Sequence, residues 1–148
     1  MATNEQQITS MGDYSLPLAN QTAVVTGASS GIGKAIATTF AAQGADLIIH
    51  ANTNQIGLEA TAAEIRDFGR DVTLLYADLT SAAAQASLVE QAFQADKQIN
   101  IWVNNAGRDV LTGDAADWSF EQKLAALWAL DVQGTIGICR RLSKPLMN

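Results

Sequence analysis

Three glycines, Gly27, Gly31 and Gly33, sit in the run Thr26-Gly27-Ala28-Ser29-Ser30-Gly31-Ile32-Gly33. Their chemistry would be the holding of a phosphate group. The apolar run Ala23-Val24-Val25 ahead of them reads as a strand, and Lys34-Ala35-Ile36-Ala37 behind them reads as a helix. The first turn of such a helix has backbone N–H groups without partners and the positive end of the helix dipole. A pyrophosphate placed there satisfies both. Glycine is required where a Cβ would block close approach or where the chain takes positive φ. Gly27, Ser29, Ser30, Gly31, Ile32 and Gly33 are therefore the candidate phosphate-loop residues. A strand-to-helix turn that binds nothing is the plain alternative. The spacing is Gly-x-x-x-Gly-x-Gly and not the commoner Gly-x-Gly-x-x-Gly.

Such a loop needs a sheet beneath it and helices beside it, and the rest of the chain supplies the pattern. A first strand is expected over about Thr22–Thr26, and Leu16-Pro17-Leu18 leads into it. The helix after the loop has Ile32, Ile36 and Phe40 on one stripe and Gly44 as its stop. A second strand follows at Asp46–His50, with a turn at Asn52-Thr53-Asn54. The next helix runs from about Gln55 to Phe68; Leu58, Ala62, Ile65 and Phe68 are its buried stripe, and Thr61 lies at the border. Val72–Ala77 is the third strand, and Thr80 or Ser81 caps a helix to about Ala95 with Leu88, Ala92 and Phe93 turned inward. Ile101-Trp102-Val103 is the fourth strand. After a loop around Leu111–Ala116, one long helix is expected from about Ser119 to Ser143, with Asp117 as N-cap and Pro145 after its end. Strands that are near-continuous apolar runs, alternating with helices, predict a doubly wound parallel α/β sheet of Rossmann type. Residues 1–15 are polar and aperiodic and read as a flexible arm, with the folded domain over 16–148.

Two further stretches carry weight. Ala77-Asp78-Leu79 ends the third strand, and Asn104-Asn105-Ala106-Gly107 ends the fourth. Alone, the first reads as a helix-start Asp and the second as an Asn/Gly turn. Together with the glycine loop they resemble the short-chain dehydrogenase/reductase family over about Leu16 to Asn148. The resemblance implies that Asp78, with Leu79 beside it, meets the adenine. It also implies that Asn105, Ala106 and Gly107 let the adenosine lie against the backbone. A flavodoxin-like carrier leaves Asn104–Gly107 unexplained.

The residue ending the second strand separates NAD from NADP, because an acidic side chain there takes the ribose 2′-OH and repels a 2′-phosphate. Here that place falls at Ala51, with Asn52 next, and neither is acidic. Asn52, Thr53 and Asn54 offer neutral donors, so the cofactor expectation is NADP or NAD with a lean to NADP.

The resemblance implies hydride transfer between a nicotinamide and a ketone or alcohol carbon, with a Tyr as general acid/base and a Lys four residues later. This chain has Tyr14 and Tyr76, followed four residues on by Leu18 and Thr80, so the Tyr-x-x-x-Lys pair is not in these 148 residues. Ser143 comes too early to be the family's catalytic Ser. The family's relay Asn falls at Asp131, in Asp131-Val132-Gln133-Gly134-Thr135. An Asp holds water but donates as an amide does only when protonated. A solvated helix Asp is the other reading of Asp131. The leading expectation is the cofactor-binding half of an NAD(P)-dependent oxidoreductase acting on a small-molecule substrate, inactive alone and truncated relative to a parent. A dinucleotide-binding sensor without catalysis is the second.

Composition bounds the rest. The chain has 148 residues, 48% hydrophobic and 16% charged, which describes a globular domain with a real core. A net charge of −6 argues against nucleic acid or an anionic membrane as partner. One cysteine, Cys139, and one histidine, His50, predict no internal disulfide and no metal site. With no leader-like segment, the expected location is cytoplasmic. The resemblance implies pairing of a full-length parent through the long helix.

Overall fold

The computed structural model describes residues 16–95 and 98–143. The expected arm at residues 1–15 and the segment around Pro145 lie outside them. In chain order the elements are β1 (Thr22–Thr26), α1 (Gly31–Ala42), β2 (Asp46–Ala51), α2 (Gln55–Asp67), β3 (Val72–Tyr76), α3 (Ala82–Gln94) and β4 (Ile99–Val103). A 3₁₀ turn (Gly113–Asp117) then precedes α4 (Phe120–Leu127) and α5 (Thr135–Leu142). All strand pairs are parallel, in the order β3-β2-β1-β4. The predicted doubly wound α/β sheet is present.

The apolar strands sit at the centre because both their faces are covered. Ala23, Val25, Leu47 and Ile49 face one way, against Ala37 and Ala41 of α1 and Leu58, Ala62 and Ile65 of α2. Val24 and Ile48 face the other way, against Leu88, Val89 and Ala92 of α3 and Ile138 and Leu142 of α5. Full burial of each large aliphatic chain is worth about 1.5–3 kcal/mol, and Val24, Ile48, Ile49, Leu58 and Ile65 are all fully buried.

Several expectations need correction. Ile32 was placed on the buried stripe of α1, but it is 74% exposed, and Gly33, Ala37 and Ala41 are the buried residues of that helix. Small side chains win there because the helix approaches the sheet closely at its start. Phe68, expected at the end of the α2 stripe, is half exposed. Thr61, expected at the border, is fully buried, and its hydroxyl donates to the Ala28 carbonyl at 2.9 Å and to Gly57 at 3.0 Å. Strand β4 begins two residues earlier than expected, at Ile99, and β2 reaches Ala51. Asp117 closes the 3₁₀ turn and is not the N-cap. That role falls to Ser119, whose hydroxyl accepts from Gln122 N while the Gln122 side chain accepts from Ser119 N, a reciprocal box.

The long helix is continuous in course but not uniform. Between α4 and α5, residues Trp128–Gly134 form a wide π turn. Such turns are rare and cluster at functional sites, and Asp131 lies within this one. A Cβ on Gly134 would stand 3.0 Å from the Leu79 carbonyl oxygen, so glycine lets the helix pack close under the end of β3.

Candidate functional site

The strand order reverses between β1 and β4: chain order steps outward from β1 to β2 and β3, then returns to β1's other side. A crevice opens at the carboxyl ends of the strands at such a point. Here it is a cleft of about 290 Å³. Its wall is built from the segments that follow the four strands, and it gathers ten of the predicted residues: Gly27, Ser29, Ser30, Ala51, Asn52, Asp78, Leu79, Asn105, Ala106 and Gly107. Gly31, Ile32, Gly33 and Asp131 are not part of the wall.

The first wall is the loop from β1 into α1. Gly27 takes φ +68° and packs so close to β4's end that a Cβ would stand 2.8 Å from the Ala106 Cα. A Cβ on Gly33 would overlap the Gly27 carbonyl and the Asn105 amide. Gly31 differs: it has φ +55°, and nothing lies within 4 Å of where its Cβ would point. Ser30 is the N-cap of α1, extended at φ −166°, yet its side chain makes no capping hydrogen bond. By contrast Asn54 caps α2 and Ser81 caps α3 through their side chains. The amides that open α1 are therefore left without a side-chain cap, beside open space.

A clasp joins β1 to β4 through the amides of the Asn-Asn-Ala-Gly run, with Thr26, which the sequence reading did not single out, as their acceptor. The Thr26 hydroxyl, 1% exposed, accepts from Asn105 N at 3.0 Å and Ala106 N at 3.1 Å, and donates to the Val103 carbonyl at 3.3 Å. In return the Asn105 side-chain amide donates to the carbonyls of Thr26 at 3.0 Å and Gly27 at 3.2 Å. Thr26 stood in the glycine run; nothing in spacing alone marks its hydroxyl as the acceptor for two amides. Thr26→Val keeps the shape and removes the acceptor. It should lower stability by about 1–3 kcal/mol in a urea titration, the cost of stranding buried amides. A loss within the scatter of ordinary surface substitutions would show that the clasp does not hold the strands.

The far end of the cleft is set by β2 and β3. His50 is 2% exposed, and burial pushes its pKa below the ordinary 6.5 while the bond to the Ala77 carbonyl works the other way. Ala51 is buried and Asn52 exposed, at the strand's end as expected. Asp78 Oδ1 accepts from Thr80 N at 3.0 Å and from Thr80 Oγ1 at 2.7 Å, a turn into α3. These two bonds, with a smaller contribution from the Arg108 charge, hold its pKa below the usual carboxylate value. The local helix-start reading of Asp78 is thus realised through one oxygen.

Arg108 is a second residue that the sequence reading did not single out. It lines the cleft just after the Asn-Asn-Ala-Gly run, and its guanidinium lies 5.3 Å from the centroid of the Trp118 ring. Its backbone N–H donates to Asp131 Oδ1 at 3.0 Å. Asp131 is therefore engaged with the segment after β4, and a Cβ on Gly107 would sit 3.6 Å from the same oxygen. Tyr76 is 40% exposed on β3, at the sheet edge away from β4, while Tyr14 lies outside the described residues. No helix among the described residues is long and apolar enough to cross a membrane.

The sequence and the fold are similar to those of known proteins. A family-wide sequence model described as short chain dehydrogenase matches residues 21–148. The chain is 34% identical over 130 residues to an uncharacterised oxidoreductase, YxbG, of Bacillus subtilis, covering 88% of this chain and 46% of that one. A short-chain dehydrogenase from Burkholderia cenocepacia, solved in complex with NADP, superposes with a TM-score of 0.75 at 31% identity. That match covers 86% of this chain and 51% of the other. An NAD+-bound xylitol dehydrogenase has a TM-score of 0.78 at 24% identity, covering 88% of this chain and 50% of that one, and shares the fold. The chain spans about half the length of the relatives it matches.

Proposed function

The chain belongs to the short-chain dehydrogenase family, and from that premise we propose that residues 16–148 are the NADP- or NAD-binding part of an oxidoreductase. The observation that carries the reading is the start of α1: amides without a side-chain cap, and Gly31 at φ +55° facing open space. Helix-opening amides without a side-chain cap, at the positive end of the helix dipole and beside open space, fit a pyrophosphate.

The residues would divide the work as follows. The amides of Ile32 and Gly33, with the hydroxyls of Ser29 and Ser30, hold the pyrophosphate. Gly27, Ala106 and Gly107 give a surface bearing no side chain larger than a methyl group on which the adenosine lies, and Asn105 fixes that surface through its bonds to β1. Both of Thr80's bonds fall on Asp78 Oδ1, which leaves Oδ2 to accept from the adenine amino group, with Leu79 alongside. Ala51 and Asn52 meet the ribose. With no acidic group at that place to repel a 2′-phosphate, and with Thr53 and Asn54 as neutral donors, the lean is to NADP. When bound, the reduced nicotinamide would give a hydride to a ketone carbon, or the oxidised nicotinamide would take one from an alcohol carbon. Asp131 orders the segment after β4 through the Arg108 amide and holds water for proton relay in a longer parent. Pairing of two such parents through the long helix is supported by the exposed Leu124, Trp128 and Ile136.

A second reading is a dinucleotide-binding sensor. A reading frame that continues into Tyr-x-x-x-Lys decides for the enzyme. The cofactor reading is tested by paired calorimetric titrations with NADP+ and NAD+. Both should bind, NADP+ at least as tightly. A clear preference for NAD+ overturns the lean, and heat from neither in a folded sample overturns the site.

A further inference from the structure

His50, the only histidine, stands one residue before the end of β2 and lines the cleft. Its ring spans two other segments. Nδ1 lies 3.3 Å from the Gly27 amide nitrogen, and Nε2 lies 3.0 Å from the Ala77 carbonyl oxygen. Its backbone carbonyl accepts from the next loop amide, Ala28 N, at 2.8 Å. One residue of β2 thus holds two consecutive amides of the glycine loop, one through its side chain and one through its main chain. The partners fix the ring's state: an amide N–H only donates and a carbonyl only accepts, so Nδ1 carries no hydrogen and Nε2 carries one. A protonated ring would set one N–H against another at Gly27.

We propose that His50 is the positioning residue of the phosphate loop: its neutral ring, bridging the Gly27 amide and the Ala77 carbonyl, sets the loop backbone in the conformation that receives a dinucleotide. The inference rests on the cofactor reading above and adds a dependence on pH to it. Burial lowers the titration of the ring below 6.5, the Ala77 bond opposes this, and no charged side chain contributes. The charged groups in the cleft are Asp78, tied to Thr80, and Arg108, over Trp118. On β3 the titratable neighbour is Tyr76. Lys34 of α1 and Glu64 of α2 pair with each other at 2.7 Å. The unfolded ring takes its proton more readily than the folded one. The bridge is therefore fully kept above pH 6.5 and is lost as pH falls through the lower folded value.

The probe is NAD+, whose pyrophosphate is a diester; the 2′-phosphate of NADP+ would itself titrate near pH 6, at about the value for phosphate monoesters. Wild-type affinity should fall with pH, approaching about tenfold per unit below the ring's titration. His50→Asn presents an acceptor to Gly27 at every pH. It should bind NAD+ near neutrality within about threefold of wild type and lose most of the decline. His50→Leu offers no acceptor and should bind at least about tenfold more weakly near neutrality. Because a buried substitution can unsettle the fold, the wild-type protein supplies a second readout: in the free protein the Gly27 amide resonance should follow the His50 ring titration. An amide that ignores the ring, or equal pH profiles in wild type and His50→Asn, overturns this inference and leaves the cofactor reading standing. Absence of binding of NAD+ and of NADP+ alike by folded wild type overturns both.

Discussion

Gly31→Val is expected to reduce dinucleotide affinity by at least about 100-fold, the equilibrium equivalent of ~2.7 kcal/mol. Nothing of the protein lies within 4 Å of a Cβ at this position. A side chain there would occupy the space that the proposed pyrophosphate takes. The backbone there takes φ +55°, which a β-branched residue tolerates poorly, at a cost of about 1–2 kcal/mol. Valine therefore acts on both binding and fold. Gly31→Asn separates them, because Asn adopts the left-handed region readily while still filling the space. It should melt close to wild type and bind as weakly as the valine variant. Normal binding by Gly31→Asn would show that the phosphate does not sit at the start of α1.

The second large effect is an absence of turnover. These 148 residues, saturated with cofactor, should not move hydride to or from an alcohol or ketone. Orientation of the cofactor alone leaves the developing alkoxide without a proton donor, and general acid/base catalysis is worth about two to four orders of magnitude. Tyr76 is no substitute: Thr80 stands four residues later and is occupied with Asp78. The same chain should self-associate on size exclusion. Strand β4 is the edge of the sheet, and half-buried Ile101, Trp102 and Val103 lie along it beside backbone open to another strand. A monomeric chain that oxidises an alcohol would contradict this expectation on both counts.

What the sequence made legible follows from where the physics is local. Strand alternation with apolar runs such as Leu47–Ile49 fixes a parallel sheet, since only doubly covered strands are apolar on both faces. The glycine spacing, Asn104–Gly107 and the ends of the second and third strands located ten residues of one cleft, because those positions follow strand ends. Burial on helices was less legible. Ile32 looks like a core residue by type, but its register on α1 turns it outward, and the close approach at Gly33, Ala37 and Ala41 selects small residues. Thr61 looks like a border residue until its hydroxyl finds the Ala28 carbonyl, a partner 33 positions away. The π turn at Trp128–Gly134 has no periodic signature, since it widens a helix whose pattern is otherwise continuous. Thr26 and His50 were missed because their partners are main-chain groups of distant segments, and Arg108 because its partners, the Trp118 ring and the Asp131 carboxylate, meet it only in the fold. No spacing rule announces an imidazole whose donor is the Gly27 amide and whose acceptor is the Ala77 carbonyl.

The central claim, that the cleft at the strand ends takes a nicotinamide dinucleotide, is tested most directly by mapping amide resonances of the isotope-labelled chain during addition of NADP+ and of NAD+. The account predicts saturable shifts at Gly27–Gly33, Ala51–Asn54, Asp78–Leu79 and Asn105–Arg108, with little change along the outer face of α4 and α5. Shifts confined to the helices, or a folded spectrum that neither dinucleotide disturbs, would contradict it.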